Sequence, residues 1–171
     1  MATRPTQPLD PSAWLAAPSV VCVLLSVVLA LPIKVFGLQP PEPVFAMAPA
    51  FAWAVIRPSI LPPFALMALG LFQDCLWGNV LGLWPLTLLG LYGLAFLIRR
   101  VLTGQDFWPM FVWYGAICAA GFAIATGLTY MQAGAAPNLL GLALQWLPTL
   151  ALFPLSWGLI VRFEDADIRF R

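Results

Sequence analysis

Residues 70–82 read GLFQDCLWGNVLG, and Asp74 is the acidic residue within this otherwise apolar stretch. An ionisable side chain at membrane depth costs roughly 2.5–3.5 kcal/mol on insertion scales, so we expect something to compensate for it. Glycines flank it at four-residue spacing, at Gly70, Gly78 and Gly82. Gly78 can end one helix in a left-handed conformation, and Asn79 can cap the next helix. The stretch therefore predicts an antiparallel helical hairpin with a very tight turn.

The composition around this stretch indicates a membrane protein. Of 171 residues, 62% are hydrophobic and 9% are charged, whereas soluble domains are about 25% charged. A soluble fold of this length could not hide so much apolar surface. The net charge of +1 and the lack of a basic stripe argue against nucleic acid as a partner. The chain has no histidine, which removes the commonest general base and metal ligand. We therefore expect no enzyme, no cofactor and no metal site.

Six apolar runs are separated by short polar or Pro/Gly segments, at about 14–33, 44–56, 60–77, 80–98, 108–131 and 139–161. Crossing the hydrocarbon takes about 20 residues, and five runs are long enough. The second run is short and rich in proline, so it is either a kinked helix that starts earlier or partly re-entrant; we favour a broken span. The fold predicted is an all-α integral membrane protein with six transmembrane helices. It forms a single domain at 14–161, between cytoplasmic tails at 1–13 and 162–171.

The basic residues predict the orientation. With six spans and both termini inside, every one of the eight Lys and Arg residues except Lys34 falls on the inner side, as the positive-inside rule requires. If the weak second span did not cross the membrane, the side opposite Arg4 would carry Arg57, Arg99 and Arg100. The charges therefore favour a multi-pass membrane protein with both termini in the cytoplasm.

Asp74 is the principal candidate for function. At 1.5 Å per residue it lies about 20 Å along its helix from Ile60, so Arg57 is too distant to pair with it. Lys34, on the outer side, is the expected cation partner. A carboxylate near a helix C-terminus opposes the macrodipole, so helix stability does not explain it. Three interpretations stay open: a snorkelling carboxylate, a conformational or partner contact in a protein-lined cleft, and catalysis, which no second acid, base or metal ligand supports.

Small residues indicate where helices pack closely. The GxxxG pair of Gly78 and Gly82 favours tight intramolecular packing. A longer stripe, Gly115, Ala119, Ala123 and Gly127, predicts that its helix lies centrally, with a partner-binding groove as the alternative. Trp53 is among the tryptophans expected at the membrane interface. Prolines at 85, 148 and 154 predict kinks in the fourth and sixth helices.

The hairpin resembles a known family. Arg57-Pro58 after an apolar span, then Gly70-x3-Asp74-x3-Gly78-x3-Gly82 and Leu86, is similar to MreD, the integral membrane protein of the bacterial rod-shape machinery. In that family a leucine-rich helix ends in Asp, and a short glycine turn and a Leu-Gly step follow. The motif covers residues 57–86, and the length and six-span plan match over nearly the whole chain. Trp77 and Pro85 within the hairpin depart from the pattern.

The resemblance implies a location in the bacterial inner membrane and a function. MreD-like proteins are non-enzymatic scaffolds that bind MreC, a single-span partner, and support lateral peptidoglycan synthesis. They act beside the MreB filament, the glycosyltransferase RodA and a class B penicillin-binding protein. Their fold resembles the S components of energy-coupling-factor transporters, so the alternative is a small-molecule-binding subunit of a transporter. The partner-binding or structural candidates are Asp74, Gly70, Gly78, Gly82, Arg57 and Lys34.

Overall fold

The computed structural model describes residues 12–30, 43–56, 59–134 and 139–168, and the regular elements within these ranges are all helical. A π-helical turn, Ser12–Ala16, precedes the first helix. The helices are α1 (Ala17–Ala30), α2 (Met47–Ile56), α3 (Leu61–Trp77), α4 (Leu83–Leu97), α5 (Arg99–Leu102), α6 (Phe107–Ala133), α7 (Leu139–Leu150) and α8 (Phe153–Ile168). Each of the six apolar runs contains a helix. The all-α prediction is confirmed.

Two helical segments are long and apolar enough to cross a membrane, judged by length and composition. They are Phe107–Gln132, within α6, and Leu140–Arg162, which covers α7, the following turn and most of α8. Only 33% and 22% of their most apolar windows are buried within the protein. A core helix of a soluble protein would be mostly buried, so these two segments differ from such a helix.

The short helix α2 lies at the centre of the molecule. Its residues from Met47 to Val55 are all buried, and it packs mainly against α4 and α8. Trp53 is fully buried, and its indole N–H donates to the carbonyl oxygen of Trp14 at 3.0 Å. The prediction that Trp53 lies at the interface is wrong, because neighbouring helices enclose α2 on all sides.

The stripe-bearing helix α6 is not central. One side is buried, through residues such as Tyr114 and Cys118, whereas Val112 and Ala123 are exposed. The small residues at 115–127 are therefore only partly used in packing within the chain. The prediction of a central helix is wrong for α6, and α2 takes that place.

Polar side chains from late in the sequence hold the N-terminal end of α2. The backbone N–H of Val44 donates to Oγ1 of Thr149 at 3.2 Å, and Oγ of Ser156 donates to the carbonyl oxygen of Ala48 at 3.0 Å. N–H groups at a helix N-terminus have no carbonyl partner in their own helix, whereas the carbonyl oxygens of the first turn accept helical hydrogen bonds. Thr149 of α7 therefore supplies an acceptor just before α2, and Ser156 of α8 adds a further hydrogen bond to the first turn.

Arg99 holds the C-terminal end of α2. Its Nε donates to the carbonyl oxygen of Val55 at 2.8 Å, and Nη2 donates to that of Ile56 at 3.3 Å. Carbonyl groups in a last helical turn lack intrahelical partners, and a cation there also complements the helix dipole. The short helix is therefore bonded at both ends.

The positions of three prolines explain a break in the last apolar run and the lack of a cause for a kink in α4. The last apolar run divides at the turn 151–152, between α7 with Pro148 inside it and α8 with Pro154 at its second position. The predicted kink is thus a break. Pro85 is the third residue of α4, where its missing N–H removes no intrahelical hydrogen bond. The physical reason for a kink at Pro85 is therefore absent.

Candidate functional site

The Asp74 side chain caps the helix that follows it. Asp74 is fully buried, although it carries a carboxylate. Oδ2 accepts a hydrogen bond from the backbone N–H of Gly82 at 2.7 Å, and Oδ1 accepts one from that of Trp84 at 3.1 Å. These amides lie at the N-terminus of α4, where the first N–H groups lack helical partners. The carboxylate therefore lies at the positive end of the α4 dipole.

This geometry corrects two predictions from the sequence. Asn79 does not cap α4, because the helix begins only at Leu83 and Gly82 occupies the N-cap position. Helix stability does explain Asp74, because the carboxylate opposes the dipole of α3 but stabilises the start of α4. Of the three interpretations, the buried contacts favour the conformational one over a snorkelling side chain.

Gly78 and Gly82 provide the backbone conformation of the turn. Gly78 has φ +65° and Gly82 has φ +102°, in the region where glycine is favoured. The N–H groups of Gly78 and Asn79 both donate to the carbonyl oxygen of Asp74, the latter at 3.0 Å. The left-handed end at Gly78 is confirmed. The packing interpretation of this GxxxG pair is wrong, because a Cβ at either glycine would meet nothing within 4 Å.

Gly70 is the packing glycine of the hairpin. A Cβ added there would lie 2.6 Å from Cα of Pro85, well inside van der Waals contact. The backbones of α3 and α4 therefore touch at this level, and only glycine leaves room for them. Gly70, Asp74, Gly78 and Gly82 thus act together in one hairpin. Arg57 and Lys34 lie outside the described residues, so the pairing of Lys34 with Asp74 stays a prediction.

A small cavity, here called the polar pocket, lies beside the hairpin turn and has a volume of about 300 Å³. Trp84, whose amide Asp74 binds, forms part of its wall. The Trp77 and Trp84 rings meet edge to face at 5.6 Å and 72°. The polar and aromatic residues that line it are Trp77, Asn79, Trp84, Thr126, Thr129 and Gln145. Side chains that are far apart in sequence thus converge at one end of the molecule.

A second cavity, the α6–α7 groove, has a volume of about 580 Å³. Ala119, Ala123 and Gly127 of the predicted stripe line it from α6, and Ala143 and Trp146 line it from α7. The stripe continues beneath α7 at Gly115, where an added Cβ would lie 3.3 Å from Cδ2 of Leu150. One end of the stripe is therefore packed, and the other is open.

Some buried polar side-chain atoms in the described structure have no hydrogen-bond partner. Both amide atoms of Gln73 are buried, with no hydrogen-bond partner in the described part of the chain. The same holds for the indole N–H of Trp84. Among the described residues, no group of three or more His, Cys, Asp or Glu side chains could hold a metal ion.

The sequence reasoning missed Trp84 and Arg99. A signal existed for the first, because no Ser, Thr, Asp or Asn directly precedes Leu83, so α4 needed an acceptor from elsewhere. No local signal existed for Arg99, because its acceptors are 44 and 43 residues away.

Neither protein-family profiles, curated proteins nor solved structures yielded a match to this chain.

Proposed function

We propose that this chain is a non-enzymatic scaffold subunit of the bacterial rod-shape machinery. It crosses the inner membrane six times with both termini in the cytoplasm, binds an MreC-like single-span protein, and supports lateral peptidoglycan synthesis. The support is the resemblance of residues 57–86 to MreD and the charge asymmetry of the chain. MreB-like, RodA-like and class B penicillin-binding proteins are its further partners in this proposal.

Exposed apolar side chains support the membrane location. They occur on helices throughout the described structure, including Leu24 on α1, Phe64 on α3, Leu97 on α4, Val112 on α6 and Leu147 on α7. Soluble monomers rarely expose large contiguous apolar patches. Lipid can cover surfaces on several sides at once, which a single protein interface cannot do.

The α6–α7 groove is the observation that supports partner binding most directly. Ala119, Ala123 and Gly127 recur every fourth residue, which is the small-residue spacing that lets two helix backbones approach closely in lipid. Within the chain, the same stripe already packs against α7 at Gly115. A partner's transmembrane helix in the open half would extend this packing.

Enlarging one groove residue tests the proposal. Ala123→Leu places a branched side chain in the open half of the groove, and overpacking typically costs about 1–3 kcal/mol. We expect the association with the MreC-like partner to weaken about tenfold or more. Copurification from membranes and affinity measured in lipid nanodiscs would report this loss.

Ala68→Leu is the matched control. It is the same substitution at an exposed alanine on α3, away from the groove. Partner binding should stay at the wild-type level. Equal binding by both variants and the wild type, with normal cell width, would contradict docking at this groove.

A transporter subunit with an S-component-like fold is the second candidate. The polar pocket favours it, because such a subunit needs convergent polar groups in a cavity. Copurification with an ATP-driven energising module instead of an MreC-like protein would favour this candidate.

A further inference from the structure

The polar pocket has the chemistry of a ligand site. Its lining combines two indoles, two hydroxyls and two amides, and it carries no charged side chain among the residues that the structure describes. We infer that the pocket binds an uncharged polyhydroxylated ring, of the class of neutral monosaccharides and cyclic polyols. This inference concerns the pocket alone and does not rest on the docking of a partner.

The pocket hydroxyls require a ligand that donates hydrogen bonds. Oγ1 of Thr126 donates to the carbonyl oxygen of Phe122 at 2.7 Å, and Oγ1 of Thr129 donates to that of Ala125 at 2.9 Å. Because each hydroxyl proton is used within the helix, each oxygen can only accept from a ligand. A pocket with such acceptors selects a molecule rich in donors.

The amide of Asn79 adds both kinds of hydrogen-bonding group. It presents a carbonyl oxygen and an NH₂ group, so it can accept and donate. A ligand hydroxyl does the same. Several hydroxyls on one ring therefore match the threonine oxygens and this amide better than a carbonyl-only or amine-only ligand does.

The two indoles add apolar surface. The rings of Trp77 and Trp84 meet at 5.6 Å, so they form one continuous wall. Such a wall suits the C–H face of a saturated ring.

The size of the polar pocket and the lack of charge in its lining narrow the class of ligand. The volume of about 300 Å³ lies at the lower end of the roughly 300–1,000 Å³ of small-molecule sites, so a single ring fits and a disaccharide is less suitable. The described lining has no charged side chain, so a phosphate or ammonium group would gain no ion pair there. Phosphorylated sugars and amino sugars should therefore bind more weakly than neutral sugars.

The pocket can be tested apart from the α6–α7 groove. Thr126 lines both cavities, whereas Asn79, Thr129 and Gln145 line the polar pocket but not the groove. Variants at Thr129 and Asn79 should therefore change ligand binding and leave partner copurification unchanged. Ligand-binding measurements therefore test the polar pocket, and partner copurification tests the α6–α7 groove.

The experiment is saturation-transfer NMR on the full chain in lipid nanodiscs, with empty nanodiscs subtracted. The probes are glucose and N-acetylglucosamine at millimolar concentration, with glucose 6-phosphate and protonated glucosamine as charged counterparts. We expect transfer to the ring C–H protons of the neutral sugars and weaker transfer to those of the charged ones. Thr129→Val and Asn79→Ala should each weaken the dissociation constant about fivefold, the effect of one hydrogen bond.

Thr87→Val is the matched control. Its hydroxyl donates to the carbonyl oxygen of Leu83 at 2.8 Å, as the pocket threonines do in their own helix, but Thr87 does not line the pocket. Binding should be unchanged in this variant. The inference is overturned by absence of transfer to both neutral sugars, by equal binding of the charged sugars, by equal affinity of Thr129→Val and Thr87→Val, or by preference for a neutral planar ring such as nicotinamide.

Discussion

Asp74 lies between two helix termini with opposite effects on a carboxylate. The C-terminal end of α3 disfavours a negative charge by about 0.3–1 kcal/mol, whereas hydrogen bonds to a charged acceptor contribute about 1.5–3 kcal/mol each. Asp74 makes two such bonds to α4 amides. The favourable effect is therefore the larger one, and it compensates for burying the carboxylate.

Removal of the Asp74 carboxylate should destabilise the protein. In Asp74→Ala the N–H groups of Gly82 and Trp84 lose their acceptors, and each unsatisfied buried donor costs about 1–3 kcal/mol. We expect a loss of about 2–4 kcal/mol in Asp74→Ala and a smaller loss in Asp74→Asn, which keeps one side-chain acceptor oxygen. Thermal unfolding in detergent, followed by circular dichroism, measures the difference.

Asp106→Ala is the control for this prediction. Asp106 occupies the N-cap position of α6, but its side chain makes no capping hydrogen bond. We expect a change of less than about 0.5 kcal/mol, as is usual for surface substitutions. An equal loss of stability in the Asp74 and Asp106 variants would refute the capping role of Asp74.

At the scale of elements, the α3–α4 hairpin depends on Gly70. Gly70→Ala places a Cβ against the Pro85 backbone, and because backbone cannot rotate away, the two helices must separate. We expect a destabilisation of about 1–3 kcal/mol, in the range of overpacked sites. Chemical denaturation of the purified protein in mixed micelles would measure it.

Gly93→Ala in the same hairpin provides the comparison. A Cβ at Gly93 would meet nothing within 4 Å, and alanine is the better helix former by up to about 1 kcal/mol. This variant should be neutral or slightly stabilised. If both glycine variants lost stability equally, close approach at Gly70 would not be the cause.

The hairpin was predictable from sequence to the extent that its signals are local. Gly78 marks the end of α3, and the apolar runs on both sides indicate helices. The cap at Asp74 was not predictable from local rules, because it joins residues 8 and 10 positions apart across a turn. The hydrogen bonds at the ends of α2 were even harder to predict from the sequence, because the partner residues lie up to 108 positions away.

At the scale of the molecule, sequence reasoning placed the wrong helix at the centre. Both α2 and α6 are apolar on all sides, so neither has an amphipathic pattern that would show which face is buried. The small-residue stripe suggested α6. The structure encloses α2 instead, and the long-range hydrogen bonds from Thr149, Ser156 and Arg99 at its two ends leave no signal in the local sequence.

The central position of α2 makes Trp53 the most sensitive tryptophan to test. Trp53 is 0% exposed and Trp108 is 72% exposed. Trp53→Ala leaves a cavity and removes the bond to Trp14, so we expect a loss of about 3–5 kcal/mol. Trp108→Ala should change the stability little. Unfolding temperatures of the two variants in detergent measure the contrast, and similar values would contradict a central α2.

The enclosure of α2 also determines when this helix can complete its packing during synthesis of the chain. A helix of 10 residues is about 15 Å long, too short to span about 30 Å of hydrocarbon unaided. The amide of Val44, just before α2, donates to Oγ1 of Thr149, which is synthesised 105 residues later. A nascent chain that ends before α7 therefore lacks this acceptor and the contacts of α2 with α8, so the packing of α2 is complete only when translation is nearly finished.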